Sequence, residues 1–128
     1  MRLLLDTHIF LLLLDRRIAR LPSHVKALLS DPKHEHFLSA ASLWEIAIKW
    51  RLGKLRLTAE LSALPGLLDA IGIQVLPIDR HHALAAVAPE PLTRDPFDRM
   101  LLAQCHIEGL RLLTIDQALA PHPLAATP

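Results

Sequence analysis

Four acidic residues occupy positions from which carboxylates can meet. Asp6 ends the apolar run Leu3-Leu4-Leu5, Asp116 follows Leu113-Thr114-Ile115, and Glu45 and Asp98 sit early in two stretches of helical periodicity. A cluster of carboxylates repels itself unless a cation joins it, and an all-oxygen donor set suits a hard divalent ion such as Mg²⁺ or Mn²⁺. Each acid also has an ordinary reading. Asp6 and Asp116 fit helix N-caps. Glu45 and Lys49 form an i,i+4 pair. In Asp95-Pro96-Phe97-Asp98, Asp95 reads as the cap, Pro96 as the first helical residue and Asp98 as the acid of a capping box.

The elements that must hold these residues alternate. Short apolar runs at 3–5, 37–38, 73–76 and 110–114 read as buried strands. Between them, helices are expected over 8–14, 22–30, 40–52, 57–70, 80–88 and 96–108, with one more beginning at Asp116 and a loosely held tail from Pro121. Gly53, Gly72 and Gly109 are the stops, and Pro65-Gly66 puts the middle of the 57–70 helix in question. Such alternation calls for a mostly parallel sheet covered on both faces, the α/β class, in which sites form beyond the carboxyl ends of the strands. Asp6 and Asp116 fall at such ends.

The 128 residues form one domain, 1–128, with no repeat or linker to divide them. Just over half of the chain is apolar and only 21% is charged, which excludes a disordered chain and hints at an apolar surface left for a partner. The net charge of +1 provides no global basic field. Two local clusters remain, Arg16, Arg17 and Arg20, and Lys49, Arg51, Lys54 and Arg56, each also readable as a solvated helix end. The single cysteine, Cys105, allows no internal disulfide and fits a reducing cytoplasm. Asp6 and His8 interrupt the apolar start, and Ile9 to Leu14 is too short to span a bilayer, so neither a signal peptide nor a membrane anchor is expected.

Four blocks, Leu3 to His8, Ser39 to Lys49, Arg94 to Arg99 and Leu113 to Asp116, resemble in order the successive motifs of the VapC family of PIN-domain toxins. The resemblance implies a three-layer α/β/α sandwich with a four- or five-stranded sheet. Pro121-His122-Pro123-Leu124 makes a poor fifth strand. It further implies that Asp6, Glu45, Asp98 and Asp116 are the catalytic, metal-binding quartet, with Asp6 and Asp98 as direct Mg²⁺ ligands. The metal would polarise a phosphodiester oxygen and activate a water for in-line attack on phosphorus. RNA is the implied substrate, a small antitoxin the implied partner, and a homodimer the implied assembly. Thr114 and Thr7 are placed beside the acids as orienting hydroxyls, and Arg99 beside Asp98 as a phosphate contact. Trp50, Leu52, Leu55 and Leu57 crowd around a turn and are assigned to the antitoxin groove.

Other features carry less. His34-His36 and His81-His82 lack the partners and spacing of a zinc site. His8 reads as a satisfied structural histidine, and Trp44 and Trp50 as packing residues. An aspartyl-nucleophile phosphatase would want a second Asp where His8 stands. A non-catalytic binding module and a nuclease acting on DNA are the remaining alternatives.

Overall fold

The computed structural model describes residues 1–126. Leu3, Leu4 and Leu5 are all fully buried because β1 (Arg2–Leu5) lies inside a sheet covered on both faces. The strand order is β3-β2-β1-β4, all parallel, with β2 at Glu35–Ser39, β3 at Ile73–Leu76 and β4 at Arg111–Leu113. Leu4 stands in register with Phe37 on one side and Leu112 on the other.

The period of two along each strand divides the core. Leu3, Leu5, Leu38, Ile73 and Leu113 pack on one face, against Ile9 and Phe10 of α1 (Thr7–Leu14), Val25 of α2 (Ser23–Ser30), Ile46 of α3 (Ala40–Arg51) and Leu68 of α4 (Leu64–Ile71). Leu4, Phe37 and Leu112 pack on the other, against Leu101, Leu102 and Cys105 of α6 (Pro96–Glu108). The fifth helix, α5 (Arg80–Leu84), docks on α6. The result is the expected three-layer α/β/α sandwich, with four strands.

Several element boundaries differ from expectation. Pro65 opens α4 instead of interrupting a longer helix, so 57–60 is irregular and a 3₁₀ turn, Leu61–Ala63, leads in. This is where proline is tolerated, since the first helical turn has no partner for its missing N–H. α5 stops at Leu84, and the chain leaves it in extended conformation to bury Val87. After Asp116 a single turn forms, closed by Leu119 and Ala120 N–H groups on the Asp116 carbonyl, and Pro121 follows it.

Residues 121–126 of the tail are held, contrary to expectation. Ala125 makes one isolated parallel bridge with Leu112, through Leu112 N–H to Leu124 O at 2.9 Å and Ala126 N–H to Leu112 O at 2.8 Å. His122 is buried, with Nε2 2.9 Å from the Pro89 carbonyl. The tail therefore sits beside β4 where a fifth strand would lie, contributing a bridge in place of a strand.

Candidate functional site

Three elements and a turn bring the acids together. β1 ends at Leu5, and Asp6 N–H continues the ladder onto Leu113 O at 2.9 Å. Ser39, the last residue of β2, caps α3 by accepting from Ala41 N–H at 3.0 Å, so the chain passes from strand to helix without a loop. That direct passage fixes Glu45 over the sheet edge. Asp116 lies just past β4, and α6 delivers Asp98 from its first turn. All four line one cavity of about 430 Å³, with His8, Lys49 and Asp95 among its other walls.

The hydrogen bonds separate capping from other roles. Asp6 stands at the N-cap of α1, yet its side chain makes no capping bond. One of its oxygens accepts instead from the Thr114 hydroxyl at 2.6 Å, and that same hydroxyl accepts from Asp116 N–H at 3.0 Å. Thr114 thus ties the two strand-end acids into one unit. Asp116 does spend one oxygen on a local turn, accepting from Ala118 N–H at 2.8 Å. Asp95 caps α6, accepting from Phe97 N–H at 2.9 Å. The capping box is not completed by Asp98, because the Asp95 N–H donates to the Thr93 hydroxyl at 3.1 Å. Asp98 is left facing the cavity.

Electrostatics follow from this crowding. The Asp6 carboxyl is pushed above the usual carboxylate range chiefly by burial, with the charges of Asp116 and Glu45 adding to it and the Thr114 hydroxyl opposing. Asp98 is raised to about 6, first by burial and then by Asp95, with the Thr93 hydroxyl opposing and Asp6 and Asp116 adding smaller pushes. Glu45 is buried and paired to Lys49 at 2.8 Å, and this bond is the main reason the ammonium is held above its ordinary value. Lys49 is thus part of the cavity wall. The i,i+4 spacing had disclosed the pair but not its burial at a site.

Other expected positions fare differently. The Thr7 hydroxyl donates to Ser42 Oγ at 2.8 Å, joining α1 to α3, and does not orient Asp6. Arg99 points away from the acids. It pairs with Glu90 and lines a separate cleft with His82 and Met100. His8 is exposed on the acidic cavity and is not a buried structural residue. Trp44 is 61% exposed, with one edge-on contact to Phe97, and Trp50 is 46% exposed, so neither is a core packing residue. Of the expected groove, Trp50 and Leu52 are exposed, whereas Leu55 and Leu57 are half-buried against the core.

Among the described residues, the tightest gathering of metal-ligand types lies elsewhere. Single ligand atoms of Asp79, His82 and Glu108 all fall within 4.8 Å of one another. These three could hold a metal ion, but each already has a structural partner. His82 Nδ1 accepts from Asp79 N–H at 3.0 Å, His82 Nε2 lies 3.1 Å from Glu108, and Asp79 accepts from the N–H groups of His81 and His82. This is a capping box that pins α5 to the end of α6. The cavity acids are more widely spaced, as mutually repelling anions are. Their donor set is all oxygen, and Glu45 and Asp116 each keep one oxygen with no hydrogen-bond partner among the described residues, which fits a hard divalent cation.

No curated protein matches the chain. The PIN domain family does, over residues 3–121. PIN domains are in general nucleases and typically use divalent metal ions, in keeping with a ring of carboxylates at a strand-end cavity. From the first buried leucine of β1 to the proline that ends its last turn, this chain belongs to the PIN domain family.

Proposed function

We propose that the protein is a Mg²⁺-dependent endoribonuclease, with Mn²⁺ able to replace Mg²⁺, and that it is the toxin of a toxin–antitoxin pair. The observation that carries the nuclease reading is the convergence of Asp6, Glu45, Asp98 and Asp116 on one cavity. Asp6 and Asp98 would hold the ion directly, with Glu45 and Asp116 completing the acidic wall. Bound there, the ion supplies Lewis-acid polarisation of a phosphodiester oxygen and a water of lowered pKa. The chain's own residues do the rest. Thr114 fixes the relative placement of Asp6 and Asp116. Lys49 compensates Glu45 and offers its remaining N–H groups to a phosphate in the cavity.

Purified protein should cleave RNA in Mg²⁺ and lose that activity in chelator, with DNA of the same sequence as the comparison. Asp98 retains a proton up to about pH 6 in the absence of metal. The Mg²⁺ concentration for half-maximal cleavage should therefore climb as pH falls through that value, because protons compete for the ligand. Cleavage indifferent to chelator would remove the metal from the mechanism, and cleavage of DNA alone would replace the substrate.

The toxin reading rests on the resemblance and on apolar surface. Trp50 and Leu52 stand exposed at the end of α3, flanked by Lys49, Arg51, Lys54 and Arg56. An amphipathic antitoxin helix would seat its apolar anchors there, and an arginine from its next segment would pair with the cavity carboxylates. A homodimer would use a separate surface. No helix of the described chain is long and apolar enough to cross a membrane, and the cytoplasm, where RNA is met, is the proposed compartment. Co-expression with the neighbouring small open reading frame should yield a co-purifying complex that Trp50→Asp with Leu52→Asp disrupts. Leu55→Asp with Leu57→Asp should disrupt it too, and because both leucines also pack against the core a thermal melt accompanies that variant. A complex untouched by the Trp50 and Leu52 changes would move the groove.

A further inference from the structure

The basic cluster Arg16, Arg17 and Arg20 lies beside the acidic cavity. A second cleft, of about 320 Å³, has Arg17 and Arg20 on its wall and shares His8, Leu11 and Ile115 with the acidic one. The two form one continuous surface that changes sign from carboxylate to guanidinium. Its remaining wall is largely aliphatic, with Leu12 and Leu55, and Asp15 is its one acid. Asp15 accepts a long hydrogen bond, 3.5 Å, from the Thr58 hydroxyl. Among the described residues, Arg17 and Arg20 are exposed and make no ion pair.

The backbone holds these arginines on a tight turn. α1 is closed by Arg17 N–H on Leu12 O at 2.9 Å, with Arg16 in the left-handed region at φ 55°, a conformation that disfavours any side chain. Arg20 N–H then returns to Arg17 O at 3.1 Å in the 3₁₀ turn Ile18–Arg20. Two guanidiniums are thereby carried on one short, hydrogen-bonded segment.

We propose that this cleft binds the nucleotide adjacent to the one at the acidic cavity, on a single strand. Its base lies on the aliphatic floor of Leu11, Leu55 and Ile115, and its phosphate meets Arg17 and Arg20. The inference rests on the nuclease reading above and assigns the path of the substrate strand. A base reaches an aliphatic floor only when it is unstacked, which selects a single strand over a duplex. Continuity with carboxylates that act on a phosphodiester selects nucleic acid over an acidic peptide.

The test is equilibrium binding of a fluorescent twelve-nucleotide (roughly the length that an oligonucleotide groove of this kind accommodates) single-stranded RNA. It is measured in the Asp6→Asn background with Mg²⁺, so that the strand is held uncut. Arg17→Gln with Arg20→Gln should weaken binding roughly tenfold. The same pair should flatten the dependence of log Kd on log salt by about 0.7 per arginine, and Arg17→Lys with Arg20→Lys should restore the slope. A double variant with parental affinity and slope overturns the proposal, as does a parent that binds no strand. Loss of a protein partner with RNA binding intact also overturns it, by making the cleft a protein-docking surface. If the strand is bound through the arginines but the wild-type protein cuts nothing, the cleft stands and the nuclease reading falls.

Discussion

Asp6→Asn and Asp116→Asn should each reduce RNA cleavage to background, and Asp6→Asn should fold at least as stably as the parent when metal is chelated. The first half follows from the proposed ligand role. Losing Asp6, a direct ligand, should cost more than the roughly 10–100-fold that loss of an outer partner of a metal ligand costs, and losing Asp116 removes a charge from the acidic wall that attracts the ion. The second half follows from the electrostatics of Asp6. Its folded carboxyl lies above the ordinary value, with burial the main cause and Asp116 and Glu45 contributing. A raised carboxyl contributes stability that is fully present below its unfolded value of 3.8 and lost as pH rises through the folded one. At neutral pH the parent carries that penalty and the asparagine variant does not. Asn can still accept from the Thr114 hydroxyl, so the link from β1 to β4 survives the change. Thermal melts in chelator should show the variant gaining on the parent at pH 8 and losing the advantage towards pH 3. Wild-type turnover in either variant at saturating Mg²⁺ would return that acid to a structural role.

The strand ends of this site were legible because the chain announces them. Three consecutive buried leucines followed by Asp6 can only be an inner strand meeting a polar edge, and Leu113-Thr114-Ile115-Asp116 repeats the pattern one strand over. The alternation of strand and helix patterns calls for a mostly parallel sheet covered on both faces, and the family resemblance makes that a three-layer sandwich. What local pattern hid is long-range pairing. Arg99 neighbours Asp98 in sequence, but one step along a helix turns by about 100°, and that turn carries it to Glu90. The Thr7 hydroxyl is captured by Ser42, thirty-five positions away, a partner that no nearby motif names. His8 follows the acid in its motif, yet the first turn of α1 directs it to the cavity wall and not into the core. The tail read as loose because its prolines exclude a strand. Its anchoring through His122 to the Pro89 carbonyl depends on a loop far earlier in the chain.

Asp95 and Asp98 lie three residues apart on one cavity wall, and their variants should part company. Asp98→Ala should abolish cleavage and remain folded; Asp95→Ala should keep cleaving and lose about 1 kcal/mol of stability, the usual cost of a lost N-cap. In a domain of this size that is a fall in Tm of about 4 °C. The division rests on two bonds. Asp95 accepts from Phe97 N–H and so caps α6, while its own N–H is taken by Thr93, which excuses Asp98 from the capping box. Asp98 is therefore free to serve the cavity, where burial and the neighbouring Asp95 charge raise its carboxyl to about 6. The sign of the stability effect matches that of Asp6. The raised group favours the fold below its unfolded value of 3.8 and loses that contribution as pH passes about 6. Removing it should thus stabilise the chelated protein at pH 8 by on the order of 1 kcal/mol, after allowance for solvent screening of a half-exposed carboxylate, and do nothing at pH 3. Asp95→Ala should act on the same titration from outside. Without the Asp95 charge the Asp98 carboxyl falls, and cleavage should hold to lower pH even as the fold weakens. An inactive, stable Asp95→Ala beside an active, destabilised Asp98→Ala would exchange the two roles.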